Sequence, residues 1–231
     1  MKCLSLIIPN HNGEKVIGDS VAKYNEVFSE NFKKFEMIAV CNDCTDNSVR
    51  ICNQLAKDFP LKTIEIPQKG KGYALIRGFN EAKHNRMGFL DADNPFDLIK
   101  IGTMVDNLDT SDVVIASKYL KGSARVQESL LRRFISLGGG VVSKNFFNLN
   151  FSDTQAGAKF FRKQVWDTIN KKNDFVCTGF DWDIEFLYRA VKNNFKIIET
   201  HIPFKPEDFS TVRLRYLPGM LKRLFMLRLT R

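Results

Sequence analysis

A chain of 231 residues, 44% hydrophobic and 26% charged, can bury one large α/β core and is too apolar to be a disordered segment. Lys and Arg number 35 against 26 Asp and Glu, a net charge of +9, which points to an acidic partner such as a nucleotide or a phospholipid headgroup. No RNA- or DNA-binding signature accompanies the charge, so nucleic acid is set aside.

Leu4 to Pro9 is an apolar run and predicts a buried strand that stops at the proline. A turn-rich loop, Asn10-His11-Asn12-Gly13-Glu14, leads into an amphipathic helix from about Lys15 to Phe28. Phe35 to Val40 is a second strand. The loop Cys41-Asn42-Asp43-Cys44-Thr45-Asp46-Asn47-Ser48 follows it, and Thr45 or Asp46 can cap the next helix, which carries Val49, Ile51, Cys52, Leu55 and Ala56. Leu61 to Ile66 is a third strand, Lys69-Gly70-Lys71-Gly72 opens a helix to about Ala82, and Met87 to Leu90 is a fourth strand. Asp112 to Ser117 gives a fifth, with Lys118 just beyond its end. Residues 127–149 read as mainly helical despite Gly138-Gly139-Gly140. Ala158 to Arg162 reads as a short strand, Phe180 to Lys192 as a helix and Phe195 to Ile202 as a last strand. Strands alternating with helices predict right-handed βαβ crossovers and a mostly parallel, Rossmann-like sheet. No repeat or low-complexity linker divides the chain, so one domain over 1–231 is expected, with a soft boundary near residue 110.

The fourth strand ends abruptly in Asp91-Ala92-Asp93, followed by Pro95, which can open a helix. Ligands of open α/β sheets sit beyond the carboxyl ends of the strands, so both aspartates would stand where chemistry happens. Two hard oxygen ligands around one small residue suit Mg²⁺ or Mn²⁺ bridging a diphosphate. A polar turn whose aspartates cap the following helix is the alternative. The loops at 9–14, 41–48 and 91–95 follow three strands, and a parallel sheet would gather all three at one edge.

The cysteines are odd in number, five, and mostly in apolar segments, which fits reduced thiols. Cys41-x-x-Cys44 follows a strand and opens a helix, the placement of redox motifs, so a thiol oxidoreductase is a competing class. No apolar run reaches about 18 residues and no leader pattern precedes the strand at residue 3. The expected location is cytoplasmic, peripherally associated with the cytosolic face of a membrane. The last 19 residues, 213–231, hold six basic side chains and no acidic one. From Tyr216 onward a basic amphipathic helix on an anionic bilayer, or a helix covering the sheet, fits the pattern.

Four of these stretches resemble the family 2 inverting glycosyltransferases of the GT-A fold. They are Ile8-Pro9-Asn10-His11-Asn12, Val40-Cys41-Asn42-Asp43-Cys44-Thr45-Asp46, Gly70-Lys71-Gly72-Tyr73-Ala74-Leu75-Ile76-Arg77-Gly78 and Asp91-Ala92-Asp93. They are similar to that family's "IPxYNE", "VVDDxSxD", "GKGxAxRxG" and "DAD" motifs, in the same order. Ser117-Lys118-Tyr119, Arg132-Arg133-Phe134-Ile135-Ser136, Asp153-Thr154-Gln155-Ala156-Gly157-Ala158-Lys159 and Asp183-Ile184-Glu185-Phe186-Leu187 look like blocks of the polyprenyl-phosphate sugar synthases. The chain departs from the pattern at Cys41 and Asn42, where the family has acidic residues, at Gly13, with Glu14 one step later, and at Lys118, where the family has Arg.

The resemblance implies a donor half over 1–110, an acceptor half over 111–210 and the basic segment 211–231. It implies a nucleoside diphospho-sugar donor, a polyprenyl phosphate acceptor and a divalent ion, Mg²⁺ or Mn²⁺, on Asp91 and Asp93. Pro9, His11, Asn12, Glu14, Cys41, Asp43, Lys71, Gly72, Asp91, Ala92 and Asp93 would line the donor site. Lys118, Arg132, Arg133 and Ser136 would grip the acceptor phosphate, unless the two arginines are a solvated helix face. Asp93, Lys118, Arg132 and Asp183 are the candidate catalytic residues. A sugar hydroxyl acceptor would need a general base, and Asp181, Asp183 or Glu185 could serve, or could cap or position a helix. A hydroxyl acceptor in glycan or surface polysaccharide synthesis and a non-catalytic nucleotide-sugar binder are the other readings.

Overall fold

The computed structural model describes residues 2–93, 96–117, 119–120, 144–203 and 217–230. Its strands are β1 (Cys3–Asn10), β2 (Lys34–Asn42), β3 (Leu61–Ile66), β4 (Arg86–Leu90), β5 (Val113–Ser117), β6 (Ala158–Arg162) and β7 (Ile197–His201). The helices are α1 (Ile17–Asn31), α2 (Ser48–Leu55), α3 (Lys71–Glu81), α4 (Leu98–Met104), α5 (Lys163–Ile169), α6 (Trp182–Lys192) and α7 (Leu217–Thr230), with a 3-10 turn at Val105–Asp109.

The period-two alternation of each strand sorts its apolar residues to two faces. Leu4, Leu6 and Ile8 of β1, Met37 and Ala39 of β2 and Val114 and Ala116 of β5 join one core layer, closed by α1, α4 and the 3-10 turn through Val21, Phe28, Ile101 and Leu108. Ile7, Ile38, Val40, Val113 and Ile115 point the other way, into a layer closed by Leu75 and Phe79 of α3, Trp166 of α5, Trp182 and Phe186 of α6 and Leu224 and Leu227 of α7. A sheet covered on both faces needs strands that are apolar throughout, and β5 is buried at every position.

The seven strands form one sheet in the order β3-β2-β1-β4-β6-β5-β7. Pairs β1–β2, β2–β3, β1–β4 and β5–β7 are parallel. The expected mostly parallel sheet is therefore present, with one feature the sequence reading lacks: β6 runs antiparallel to both neighbours, β4 and β5. Pro9 lies inside β1 instead of ending it. Its missing N–H is tolerated because pairing with β4 stops at Ile7, while β2 pairs along the whole strand.

Helix α5 was also not anticipated, because it starts directly at the end of β6 with no turn residue to announce it. At α4 the cap is Asp97, whose side chain accepts from Ile99 N and Lys100 N at 3.1 and 3.2 Å. That gives the capping role considered for Asp91 and Asp93 to a different carboxylate. Most of the stretch expected to be helical at 127–149 lies outside the described residues, and 144–147 within it are helical. Of the two alternatives for the tail, the covering helix is present: Met220, Leu224 and Leu227 of α7 are buried, while Leu221, Phe225 and Leu229 are 55%, 63% and 71% exposed.

Candidate active site

Because β2, β1 and β4 are parallel neighbours, their carboxyl ends open on the same edge. Asn10 pairs with Cys41 and Ile7 with Phe89, so Asp91, two residues beyond Phe89, comes level with Pro9 of β1. The loops after the three strands thus meet, and side chains tie the first two together. Asn12 Oδ1 accepts from Thr45 N at 2.8 Å, Gly13 N donates to Ser48 Oγ at 2.9 Å and Glu14 N to Asp46 Oδ2 at 3.0 Å. Asn12 and Asp43 both sit at φ +53°, where Asn and Asp are the favoured non-glycine residues. His11, exposed at the mouth, is fixed through Nδ1 to the Asn42 carbonyl at 2.8 Å. Burial opposes ionisation of Asp46, but hydrogen bonds from Ser48 and from the Glu14 amide outweigh it and hold this carboxyl below its usual value.

Two of the expected donor-site residues do something else. Glu14 turns its carboxylate to Asn47, accepting from the backbone N at 3.0 Å and from Nδ2 at 3.1 Å, and so works as a loop tie. Cys41 does not line the groove: it is fully buried, and its Sγ lies 3.6 Å from Asn10 Nδ2 and 3.9 Å from Cys52 Sγ. The neighbouring Cys44 thiol favours the Cys41 thiolate, but Cys52 and burial outweigh it and push Cys41 up to about 12. A fully buried thiol is inaccessible to a redox partner, which speaks against the redox reading of Cys41-x-x-Cys44.

The Asp91–Asp93 turn is held from three directions. Tyr24 Oη of α1 donates to the Asp91 carbonyl at 2.6 Å, and Ser20 Oγ donates to that of Ala92. Asp91 N donates to Gly157 O at 3.1 Å, and a Cβ on Gly157 would collide with the Asp91 carboxylate, so that side chain lies in a cradle only glycine leaves open. The third hold is a charge: Lys71 Nζ lies 2.8 Å from Asp91 Oδ1. Burial disfavours the Lys71 ammonium, yet Asp91 and Asp183 beside it raise its pKa overall. Lys69 repeats the motif one loop away, 3.6 Å from Asp43.

Gly70 and Gly72, which bracket Lys71, lie against the backbone of Thr178. Gly70 sits at φ +141°, and a Cβ on Gly72 would come within 2.7 Å of Thr178 Cα and C. Gly72 therefore serves close packing at the start of α3. Tyr73 N donates to Thr178 O at 3.3 Å, which joins the start of α3 to the loop preceding α6.

Below this edge lies a floor of buried charge. Asp183 is 2% exposed, and Lys159, itself fully buried, reaches its Oδ1 at 2.6 Å while Lys71 lies 3.7 Å from Oδ2. Burial depresses the Lys159 pKa, partly offset by Asp183. Asp181, 0% exposed, is gripped by Arg223 of α7, Nε to Oδ2 at 2.6 Å and Nη2 to Oδ1 at 2.9 Å. Glu185 accepts from Val176 N, Cys177 N and Arg189 Nε at 2.9, 2.6 and 2.9 Å. Each carboxylate considered as a general base thus has its own cation and is buried. Asp183, expected to be catalytic, is buried between Lys159 and Lys71 beneath the Asp91 turn. Lys159, Ser20 and Tyr24 were not singled out beforehand, and Lys159 appeared only as the end of a motif block.

At the end of β5 Ser117 Oγ contacts Ser152 Oγ at 2.6 Å, and Tyr119 N donates to Ser117 Oγ at 3.2 Å. Lys118, Arg132, Arg133 and Ser136 lie outside the described residues. Among the described residues no three His, Cys, Asp or Glu side chains converge on one metal position. The Asp91 cradle nevertheless fits a cation, since an ammonium already sits on one oxygen. Mg²⁺ and Mn²⁺ sites of this kind take one or two carboxylates and complete their shell with phosphate and water.

The model of the glycosyl transferase family 2 matches residues 5–180. Glycosyltransferase AglD of Haloferax volcanii is 24% identical over 91% of this chain, and the dolichol-phosphate mannosyltransferase of Pyrococcus furiosus is 27% identical over 61%. The chain spans 34% and 40% of those two relatives' lengths. Among solved structures, glucosyl-3-phosphoglycerate synthase of Mycobacterium tuberculosis with UDP matches at TM-score 0.72 and 15% identity, covering 99% of this chain and 79% of that one. A further complex of that enzyme holds Mn²⁺, UDP and phosphoglyceric acid. With strand order, edge loops and matched residues in agreement, the chain belongs to glycosyl transferase family 2 and has the GT-A fold.

Proposed function

We propose that the chain transfers a hexose from a nucleoside diphospho-sugar to a polyprenyl, dolichyl-type phosphate, with inversion and with Mg²⁺ or Mn²⁺, at the cytosolic face of a membrane. The observation that carries the reading is the Asp91 carboxylate held at the end of β4, level with the β1 and β2 loops, with the Lys71 ammonium 2.8 Å away. The relative named a dolichol-phosphate mannosyltransferase supports the acceptor class. Mn²⁺ with UDP in the fold neighbour supports the donor and the ion.

Asp91 and Asp93 would hold the divalent ion, which when bound supplies positive charge to the departing nucleoside diphosphate. Tyr24 and Ser20 fix the backbone of that turn, so the carboxylates meet the diphosphate already oriented. Lys71 and Lys69 add positive charge along the edge. The His11 ring, fixed by the Asn42 carbonyl, offers a face on which a base can stack. A phosphate monoester has a second pKa of about 6 and is an anionic nucleophile near neutrality, so no general base is required. This agrees with the burial of Asp181, Asp183 and Glu185. Lys118, Arg132, Arg133 and Ser136 are the groups assigned to the acceptor phosphate.

Incubating the protein and membranes with labelled UDP- and GDP-sugars and Mn²⁺ or Mg²⁺, then analysing the lipid extract, tests the reading. A labelled, acid-labile glycolipid that is lost in Asp93→Ala is expected. Label on a soluble glycan and none in lipid would refute the phosphate acceptor.

A further inference from the structure

Helix α7 faces solvent on one side and, through Arg223, reaches the loop behind the Asp91 edge on the other. Its inner stripe, Met220, Leu224 and Leu227, is buried against the body of the protein. One residue further round, Leu221, Phe225 and Leu229 are spaced by four, share a face and are 55%, 63% and 71% exposed. Lys222 and Arg228 are exposed on the same helix, which contains no acidic residue. Two apolar stripes with basic residues between them suit a helix that packs on protein on one side and on an anionic lipid surface on the other.

Arg223 lies between the two stripes and connects α7 to the site. Its guanidinium makes both hydrogen bonds to buried Asp181, at 2.6 and 2.9 Å, and Gly179 N donates to the same carboxylate at 3.1 Å. A Cβ on Gly179 would lie 2.8 Å from Arg223 Nη2, so the loop and the guanidinium are in close contact. The next residue back, Thr178, accepts from Tyr73 N and backs Gly70 and Gly72. Between those glycines Lys71 reaches Asp91. An unbroken line of contacts therefore runs from α7 through Asp181 and Thr178 to the Asp91–Asp93 turn.

We infer that seating of α7 on an anionic bilayer tightens the donor site through Arg223 and Asp181, so that lipid binding and nucleotide binding are coupled. This rests on the donor and membrane readings proposed above. Covering the outer stripe holds α7 from both sides. Arg223 then keeps the 178–181 loop against the Gly70–Gly72 turn, and the donor meets a site whose ordering has already been met by the bilayer. Arg223 and Asp181 are positioning residues in this scheme, because they act through Thr178 and Lys71.

The test measures Mn²⁺–UDP and Mn²⁺–GDP affinity of the full chain, with and without vesicles of phosphatidylcholine containing phosphatidylglycerol. Anionic vesicles are expected to bind the protein and to tighten the preferred nucleotide about fivefold or more, the lower range of measured couplings. Phe225→Ser with Leu229→Ser should lose vesicle binding and with it the gain. Arg223→Gln leaves Asp181 buried without its cation, so the double variant Arg223→Gln/Asp181→Asn, which removes both charges, is the informative one. It should keep vesicle binding and lose the gain, while Arg223→Lys keeps part of it. Unchanged nucleotide affinity on bound vesicles, or a full gain in the double variant, would overturn the coupling. Failure of the wild type to bind vesicles would overturn the surface. Failure to bind either nucleotide in any state would instead refute the donor reading itself.

Discussion

The loop edge at the ends of β1, β2 and β4 and the floor of buried charge beneath it are built on opposite principles. At the edge, polar groups sit in loops at strand ends, half-exposed and tied loop to loop, as in Asn12 with Thr45 and Glu14 with Asn47. In the floor, carboxylates are buried outright, each with a cation, as in Asp183 with Lys159 and Asp181 with Arg223. Exposed polar groups can be exchanged for water at small cost, whereas a buried charge stripped of its partner cannot. Substitutions in the floor should therefore register mainly as lost stability, and those at the edge mainly as lost turnover.

The largest effect that would test this contrast is Lys159→Met, which leaves Asp183 buried with only the more distant Lys71. We expect a loss of about 3–5 kcal/mol in denaturant unfolding. Adding Asp183→Leu should recover a substantial part, and no recovery would mean that Lys159 acts through something other than this pair. Next comes Asp93→Ala, expected to lower lipid-linked product by about 10²- to 10³-fold through lost charge stabilisation at the leaving group. The melting temperature should stay near that of the wild type, and a large fall would blur the division between edge and floor. Tyr24→Phe deletes the hydrogen bond to the Asp91 carbonyl at a cost of about 1 kcal/mol. It should raise KM for the donor more than it lowers thermal stability.

The smallest effect concerns acid. Asp46 has its carboxyl held below the ordinary value, so its stabilisation is complete above the unfolded-state pKa of about 3.9 and is lost as pH falls through the lower folded-state value. In Asp46→Asn the acid limb of the unfolding profile should be shallower below that pH. An unchanged limb would mean that the Glu14 and Ser48 contacts hold without the charge.

The same contrast explains what could be read in advance. Strand ends advertise themselves: the apolar run at Met87–Leu90 breaking into Asp91 marks the candidate site, because local pattern and sheet topology together fix where a strand delivers its last residue. The parallel core and the Gly70-Lys71-Gly72 helix start were legible for the same reason. Nothing local reveals that Lys159 is an interior cation, since its partner lies 24 residues on, in α6. Nor does the composition of β6 encode its direction, as Phe160 and Phe161 would suit either. Cys41 misled because its position matched an acidic motif, while its side chain turns into the Leu4–Leu6–Ile8 layer with the period-two alternation of β2.

The reversed strand has one more consequence. Since β6 is wedged between β4 and β5, a fragment cut near residue 110 would leave the flank of β4 bare, with backbone amide and carbonyl groups of Arg86–Leu90 facing solvent. Such a raw margin seeks other chains, so the first half expressed alone should clump instead of serving as a soluble nucleotide carrier. The piece of sequence that keeps the first half presentable is thus supplied from some fifty residues beyond its apparent end.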